Sequence, residues 1–316
     1  MTEQPTLSIV VPVYRNESSM KELVAELSNV AVNVRGLVEC VFVIDSSPDE
    51  SRRRLIEALP SAPFRAVIVD HSRNFGSFAA IRTGLEFGAG KYFGVMAADL
   101  QEPPQLMLQF VEELDRSEVQ VVVGERVSRS GDQARVRVPA ELFWRLYRRF
   151  VLPTIPAGGV DVFACTHEVR DRLLQFRESN SSLIGLLFWL GFSTSSVPYD
   201  RRPRADGLGS SWTLRKKIRY MTDSIYSFTD LPLRLLRIIG AFGLVISALC
   251  SIAVTIAWAQ GSVSVPGYTP LILAVFAATM MIMTALGIVG SYVWRAYENT
   301  KQRPLGVVER VQVVEA

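Results

Sequence analysis

The chain has 316 residues, 49% of them hydrophobic, and a formal net charge of +3, with a mean hydropathy of +0.22. A charge this small does not imply nucleic acid, while the apolar balance suggests membrane segments beside one domain of catalytic size. Cys40, Cys165 and Cys250 form no C-x-x-C pair, so neither a zinc site nor a disulfide framework is supported and a reducing compartment is expected.

Met1 to Tyr14 carries an acidic residue and no basic region, unlike a signal peptide. Leu7 to Tyr14 reads as a buried strand. Met20, Leu23, Val24, Leu27 and Val30 then recur at helical spacing within Ser18 to Val34. Further strands are read at Cys40–Ile44, Ala66–Val69, Lys91–Ala97 and Val119–Val123, with helices at Ser51–Leu59, Gly76–Phe87 and Gln105–Leu114. This alternation, with near-continuous apolar strands, argues a mostly parallel α/β sheet with flanking helices. No G-x-G-x-x-G follows the first strand, which argues against a dinucleotide-binding domain. His71 and His167 are isolated and read as structural.

The C-terminal part differs. Ile238 to Trp294 holds no charged residue, and Ile238–Ala259 and Pro270–Trp294 are each long enough to cross a bilayer. Arg234 and Arg237 precede the first stretch, and Arg295, Lys301 and Arg303 follow the second. The positive-inside rule then places both termini in the cytoplasm. Before these stretches, Leu214, Ile218, Met221, Ile225 and Phe228 form one face of a basic amphipathic helix over Trp212–Phe228. Next to spans, such a helix is expected in the headgroup layer. The alternative is an ordinary helix packed on the globular domain.

Acids collect at strand ends: Asp45, Asp70 and Asp99. In a parallel sheet these ends share one edge, so the carboxylates could converge on one cleft. Asp99-Leu-Gln-Glu102 offers oxygen ligands of the kind magnesium or manganese prefers. The competing reading is a polar loop whose prolines, Pro103 and Pro104, open a helix, with Asp45 and Asp99 as caps. A basic group comprises Arg126, Arg129, Arg135, Arg137, Arg201, Arg202 and Arg204, the last three shortly before Gly207-Leu-Gly-Ser210. Arginine forks suit phosphate oxygens, although a solvated surface is their commoner fate. Asp161 is a lone acid in an apolar stretch, either a cap or a working residue.

Taken together, these segments resemble polyprenyl-phosphate glycosyltransferases. That group includes dolichol-phosphate mannose synthase and bacterial undecaprenyl-phosphate glucosyltransferases, inverting family 2 enzymes of the GT-A fold. The resemblance rests on Val11-Pro-Val-Tyr-Arg-Asn-Glu17, on Ser72-Arg-Asn-Phe-Gly76 with Ala80 and Gly84, and on Asp99-Leu-Gln-Glu-Pro-Pro104. Gly159-Val-Asp-Val-Phe163 and Ser224-Ile-Tyr-Ser-Phe-Thr-Asp-Leu-Pro-Leu233 complete the ordered series. The Gln-x-x-Arg-Trp motif of processive synthases is absent. The chain departs from the family pattern at Ala97, where an acid is usual, and at Ile44, Glu102 and Ser211.

The resemblance implies transfer of a sugar from a nucleotide diphosphate sugar to polyprenyl (undecaprenyl) phosphate, giving a lipid-linked sugar for cell-envelope glycosylation such as lipopolysaccharide modification. Asp99 and Gln101 would hold a divalent metal, Mg2+ or Mn2+. Pro12, Tyr14, Glu17, Asp45, Arg73, Asn74, Gly76 and Arg126 would bind the donor. Arg129, Arg204 and Ser210 would bind phosphate on the acceptor side. Asp161 and Asp99 would be the catalytic carboxylates, with Asp161 matching the family's proposed base. A phosphate monoester, with a second pKa near ~6, is already largely dianionic at neutral pH, so Asp161 is expected mainly to orient the acceptor. The expected organisation is a cytoplasmic GT-A domain over 1–211, juxtamembrane helices over 212–233, a two-helix transmembrane hairpin over 234–296 and a cytoplasmic tail over 297–316. The expected location is the inner membrane, as a multi-pass protein, and the expected assembly a homo-oligomer, a tetramer by resemblance. The alternatives are a non-catalytic membrane-anchored nucleotide-sugar binder, motivated by Ala97 and Ile44, and a transferase with a non-lipid acceptor.

Overall fold

A computed structural model describes residues 4–127, 145, 148–149, 153–156, 159–178, 181–202, 222–260 and 268–315. The first part alternates strand and helix: β1 (Leu7–Val13), α1 (Met20–Asn33), β2 (Val38–Ile44), α2 (Ser51–Ala58), β3 (Arg65–His71), α3 (Ser77–Phe87), β4 (Tyr92–Val95), α4 (Leu106–Arg116) and β5 (Val121–Arg126). Then come β6 (Phe163–Thr166), α5 (His167–Gln175), α6 (Leu183–Trp189), β7 (Thr194–Tyr199), α7 (Leu231–Ala259), α8 (Tyr268–Thr300) and β8 (Val308–Val314). The strands form one eight-stranded sheet in the order β7-β5-β6-β4-β1-β2-β3-β8.

β1 pairs in parallel with β2 and β4, and β2 with β3. Their carboxyl ends therefore lie on one edge, as the apolar runs imply. Alternation along β1 and β2 divides the core between two faces. Ile9, Val11 and Phe42 pack with Met20, Leu23, Leu27 and Phe110 on one face. Val10, Val41 and Val43 pack with Ala80, Leu85 and Leu173 on the other. The buried stripe of α1 is Met20, Leu23, Val24, Leu27 and Val30, the set its spacing indicates. The mixed half of the sheet comes from β6, antiparallel to β4 and β5, and from β7, parallel to β5. At the other end β8 runs antiparallel to β3. Residues read from sequence as a tail thus close a sheet edge that β3 would otherwise leave open.

The C-terminal helices correct one expectation. Many of their apolar side chains are exposed, including Ile238, Phe242 and Met280. Among the described residues, however, no helix is long and apolar enough to cross a membrane. The uninterrupted described run 231–243 of α7 contains Arg234 and Arg237, and the run 278–300 of α8 ends among Tyr292, Arg295 and Glu298. This overturns the multi-pass inner-membrane placement with cytoplasmic catalytic domain and termini, and leaves the hairpin over 234–296 without support. The expected amphipathic helix falls largely outside the described residues; 222–228 are helical. That piece packs on protein: Phe228 lies against Gly185 of α6, Asp223 accepts a hydrogen bond from Arg295 of α8 at 2.7 Å, and the Tyr226 and Tyr292 rings are 4.9 Å apart.

Candidate functional site

The edge at the ends of β1, β2 and β4 concentrates unusual backbone. Arg15, Ser46 and Leu100 have φ of 56°, 50° and 56°, left-handed conformations that cost non-glycine residues energy. Each lies just past one of these parallel strands. Such strain persists where surrounding contacts enforce it, and the contacts are present. Arg15 N–H donates to Ser47 Oγ at 2.8 Å, Asn16 N–H to Ser51 Oγ at 2.9 Å and Glu17 N–H to Asp49 Oδ2 at 3.1 Å. Glu17 Oε2 accepts in return from Glu50 N–H at 3.0 Å. These bonds stitch the loop after β1 to the loop after β2. Pro12 lies one residue before the end of β1, opposite Val43, and Tyr14 stands half exposed at the rim.

Asp45 is buried and its carboxylate is fully engaged. Oδ1 accepts from Phe75 N–H at 2.8 Å and meets His71 Nδ1 at 2.8 Å, while Oδ2 accepts from Gly76 N–H at 2.8 Å. Burial alone would raise its pKa, but the bonds from His71, Phe75 and Gly76 outweigh it and hold the carboxyl below its ordinary range. Asp45 therefore caps the entry to α3 rather than a helix of its own loop. Gly76 has φ 96° there, a conformation that glycine adopts without a steric penalty. The turn presents Arg73, whose guanidinium sits 4.0 Å over the Phe75 ring, and Asn74, whose amide reaches the Asp45 carbonyl at 3.3 Å.

The second half of the site forms around Arg201, two residues beyond β7. Its Nη2 donates to Gln101 Oε1 at 2.9 Å. Its Nε lies 3.3 Å from Glu102 Oε1, and its Nη1 lies 3.8 Å from Asp161 Oδ2. Arg202 N–H donates to the Gln101 carbonyl at 2.8 Å, and Tyr199 Oη donates to Asp161 Oδ2 at 3.4 Å. Arg201 thus ties the segment after β4 to the aspartate before β6. Glu102 is 1% exposed, and neither of its oxygens has a hydrogen-bond partner among the described residues. Burial first, then the charge of Asp161, push its pKa up to about 7 against the opposing pull of Arg201. Arg126 ends β5 directly opposite Tyr199.

On one side Gln101 N–H donates to Asp99 Oδ1 at 3.3 Å, Arg201 joins Gln101 to Asp161 and Arg126 stands opposite Tyr199; on the other the Tyr14–Glu17 loop is stitched to the loop after β2, and Asp45 holds Asn74 and Gly76 beside Arg73. The structure does not bring Asp70 to the cleft. Asp70 pairs instead with Arg52 at 2.9 Å, so the three strand-end acids do not converge. Arg129, Arg204 and Ser210 lie outside the described residues. Sequence reasoning did not single out Asp49 or Tyr199 and read His71 as structural; it placed Glu102 in the candidate metal-ligand segment and Arg201 among the candidate phosphate-binding arginines, without the contact between them. The Ser47-Pro-Asp-Glu50 loop was a usable signal for Asp49; burial of Glu102 had none. No group of three His, Cys, Asp or Glu among the described residues is placed to hold a metal ion. An ion at Asp99 would need ligand and water oxygens as well, which magnesium-type ions accept.

Residues 8–171 match the model of glycosyl transferase family 2. An uncharacterized glycosyltransferase of Synechocystis sp. is 30% identical over 302 residues, covering 96% of this chain and 94% of that protein. A prophage-derived bactoprenol glucosyl transferase of Shigella flexneri is 28% identical over 304 residues, covering 96% of this chain and 97% of that one. Among solved structures, glucosyl-3-phosphoglycerate synthase from Mycobacterium tuberculosis, crystallised with Mn2+ and UDP-glucose, is 19% identical. It superposes with a TM-score of 0.50, covering 70% of this chain and 77% of that one. That likeness shows the fold, a GT-A-like α/β sheet with flanking helices.

Proposed function

Because the chain belongs to glycosyl transferase family 2, we propose that it moves a sugar, with inversion, from a nucleotide diphosphate sugar to a polyprenyl phosphate. The observation that carries this reading is the Arg201 bridge, which joins the Asp99–Glu102 segment to Asp161 across the strained rim. It supports a leaving diphosphate on one side and an acceptor on the other. The bactoprenol relative, similar over nearly its whole length, supports the lipid acceptor.

In this reading the loops after β1 and β2 form the nucleoside pocket, with Tyr14 and Glu17 on its wall and Asp45 holding its floor. Arg73 and Asn74 face the donor. Asp99 and Gln101 would hold a divalent ion; the crystallised neighbour contains Mn2+ with its nucleotide sugar. When bound, that ion supplies neutralising charge to the leaving diphosphate. Arg126, Arg129, Arg204 and Ser210 bind phosphate oxygens. Asp161 orients the acceptor phosphate, a nucleophile already largely ionised at neutral pH.

The test is transfer of labelled sugar by the purified chain with divalent metal, offering undecaprenyl phosphate and 3-phosphoglycerate in parallel. Label entering the organic phase with the first acceptor alone is the expected result. Label retained in water with the second would replace the lipid acceptor by a soluble one.

A further inference from the structure

We propose that the segment leading into the carboxy-terminal strand β8, Gly306 and Val307, is part of the donor site, with His71 as a positioning residue between that segment and the turn that faces the donor. The observations form a chain of contacts. Gly306, just before β8, lies so close to His71 that a Cβ there would stand 2.9 Å from Nε2 and 3.1 Å from Cε1, and 3.0 Å from Thr83 Oγ1. Only a hydrogen side chain leaves the imidazole in place. His71 is fully buried, with Nε2 2.9 Å from Thr83 Oγ1 and Nδ1 2.8 Å from Asp45 Oδ1. A neutral ring protonated on Nδ1 satisfies both contacts, donating to Asp45 and accepting from the threonine hydroxyl.

Asp45 in turn holds Phe75 and Gly76 by their backbone N–H groups. The next residue after β3 is held from the same segment, since Ser72 N–H donates to the carbonyl of Val307, the residue just before β8, at 3.0 Å. The pairing of β3 with β8 shifts register between Asp70 and His71, where the chain leaves the strand for this turn. Further along, Arg52 reaches Gln312 at 3.1 Å as well as Asp70. The turn from Ser72 to Gly76 is thus fixed at its start by Val307 and at its end by Asp45, and His71 links the two anchors. Arg73 and Asn74 lie between them. A displaced His71 leaves Asp45 with fewer donors and lets both side chains drift, and small misplacements of binding groups cost affinity steeply. The residues that do this come from the far end of the chain, directly after α8, so the seating of that helix bears on how the donor is held.

This inference rests on the proposal that the Arg73–Gly76 turn binds the donor. The experiment compares the full-length chain with Gly306→Val and His71→Gln, measuring the Kd for UDP and GDP by calorimetry, the KM for donor and acceptor, and thermal unfolding. Gly306→Val is expected to weaken nucleotide binding and raise the donor KM about tenfold, with the acceptor KM unchanged within about twofold. His71→Gln keeps one donor toward Asp45 and is expected to fall between wild type and Gly306→Val; it also serves if the valine variant does not fold. Nucleotide affinity unchanged in both variants while thermal stability falls would overturn the inference and leave β8 a purely structural edge. Donor and acceptor KM rising together would overturn it too. A wild-type chain that binds neither nucleotide would instead remove the donor-site reading on which the inference depends.

Discussion

Asp45 and Glu102 both follow strands of the same parallel set and both are buried, yet their surroundings differ in kind. Asp45 has a donor for each oxygen, and its pKa is held down despite burial. Glu102 faces one guanidinium at 3.3 Å, without a hydrogen bond among the described residues, and its pKa rises to about 7. The consequences for stability have opposite sign. A lowered carboxyl contributes stability above its unfolded pKa, which is lost as pH falls through the folded value. A raised carboxyl costs stability as pH climbs from the unfolded value toward the folded one. The first half of the site is therefore built to keep its shape with nothing bound. The second stores unbalanced charge, held by Arg201, beside the place where a charged donor would arrive.

Removing Arg201 should break this contrast most severely. Arg201→Leu leaves Glu102 buried without a cation, which destabilises; because the carboxyl already sits at about 7 with Arg201 present, it can answer by protonating, and its charge adds at most about 1.4 kcal/mol to the loss at pH 8. The loss should appear in urea unfolding at pH 8 and shrink at pH 5, where Glu102 can protonate. Activity should fall as well, because Gln101 and Asp161 lose their common partner. An equal loss at both pH values would show that Arg201 acts through packing instead.

Asp161→Asn should have a smaller effect on stability, since Asp161 is half exposed and its nearest Arg201 contact is 3.8 Å long. Its rate should drop roughly 100-fold and stay flat between about pH 6 and 9, as expected for a group that orients an already ionised phosphate. A variant rate that recovers at high pH would mark Asp161 as a general base.

Much of the scaffold was legible because its signals are local. β1 to β5 are apolar runs at regular spacing, and the helices between them carry buried stripes. β7 and β8 carry no such signal. Thr194-Ser-Ser-Val-Pro-Tyr199 is mostly polar, and Val308–Val314 alternates and stays largely exposed; each pairs with a strand remote in sequence. The same limit applies to the site. Asp99, Gln101 and Asp161 stand out beside apolar segments. His71 looked isolated because its partners, Asp45, Thr83 and Gly306, are brought to it only by the fold. Arg201 was grouped with other arginines, and nothing along the chain says that it turns inward to three side chains. The apolar character of α7 and α8 was legible too, but it did not establish a membrane span.

The sharpest test of the contrast is also the mildest substitution. Glu102→Gln keeps the side chain's volume and removes its charge. In the wild type this carboxyl goes from 4.5 to about 7 on folding. Below the lower value both states are protonated and the group is neutral toward stability. Between the two values the folded state keeps a proton that the unfolded state releases, so stability declines as pH rises. Integrated over the window, the decline is about 3 kcal/mol. The glutamine cannot titrate, so its variant should match the wild type near pH 4 and exceed it at pH 8 by up to that amount. Arg201 retains Gln101 and Asp161 in the variant, so its own burial remains compensated. Denaturant midpoints at the two pH values give the comparison directly. If the variant keeps the wild-type slope, the unbalanced charge resides elsewhere. If the slope flattens while transfer slows, Glu102 gives up stability for a charge the reaction uses, whereas Asp45, with every donor in place, gives up none.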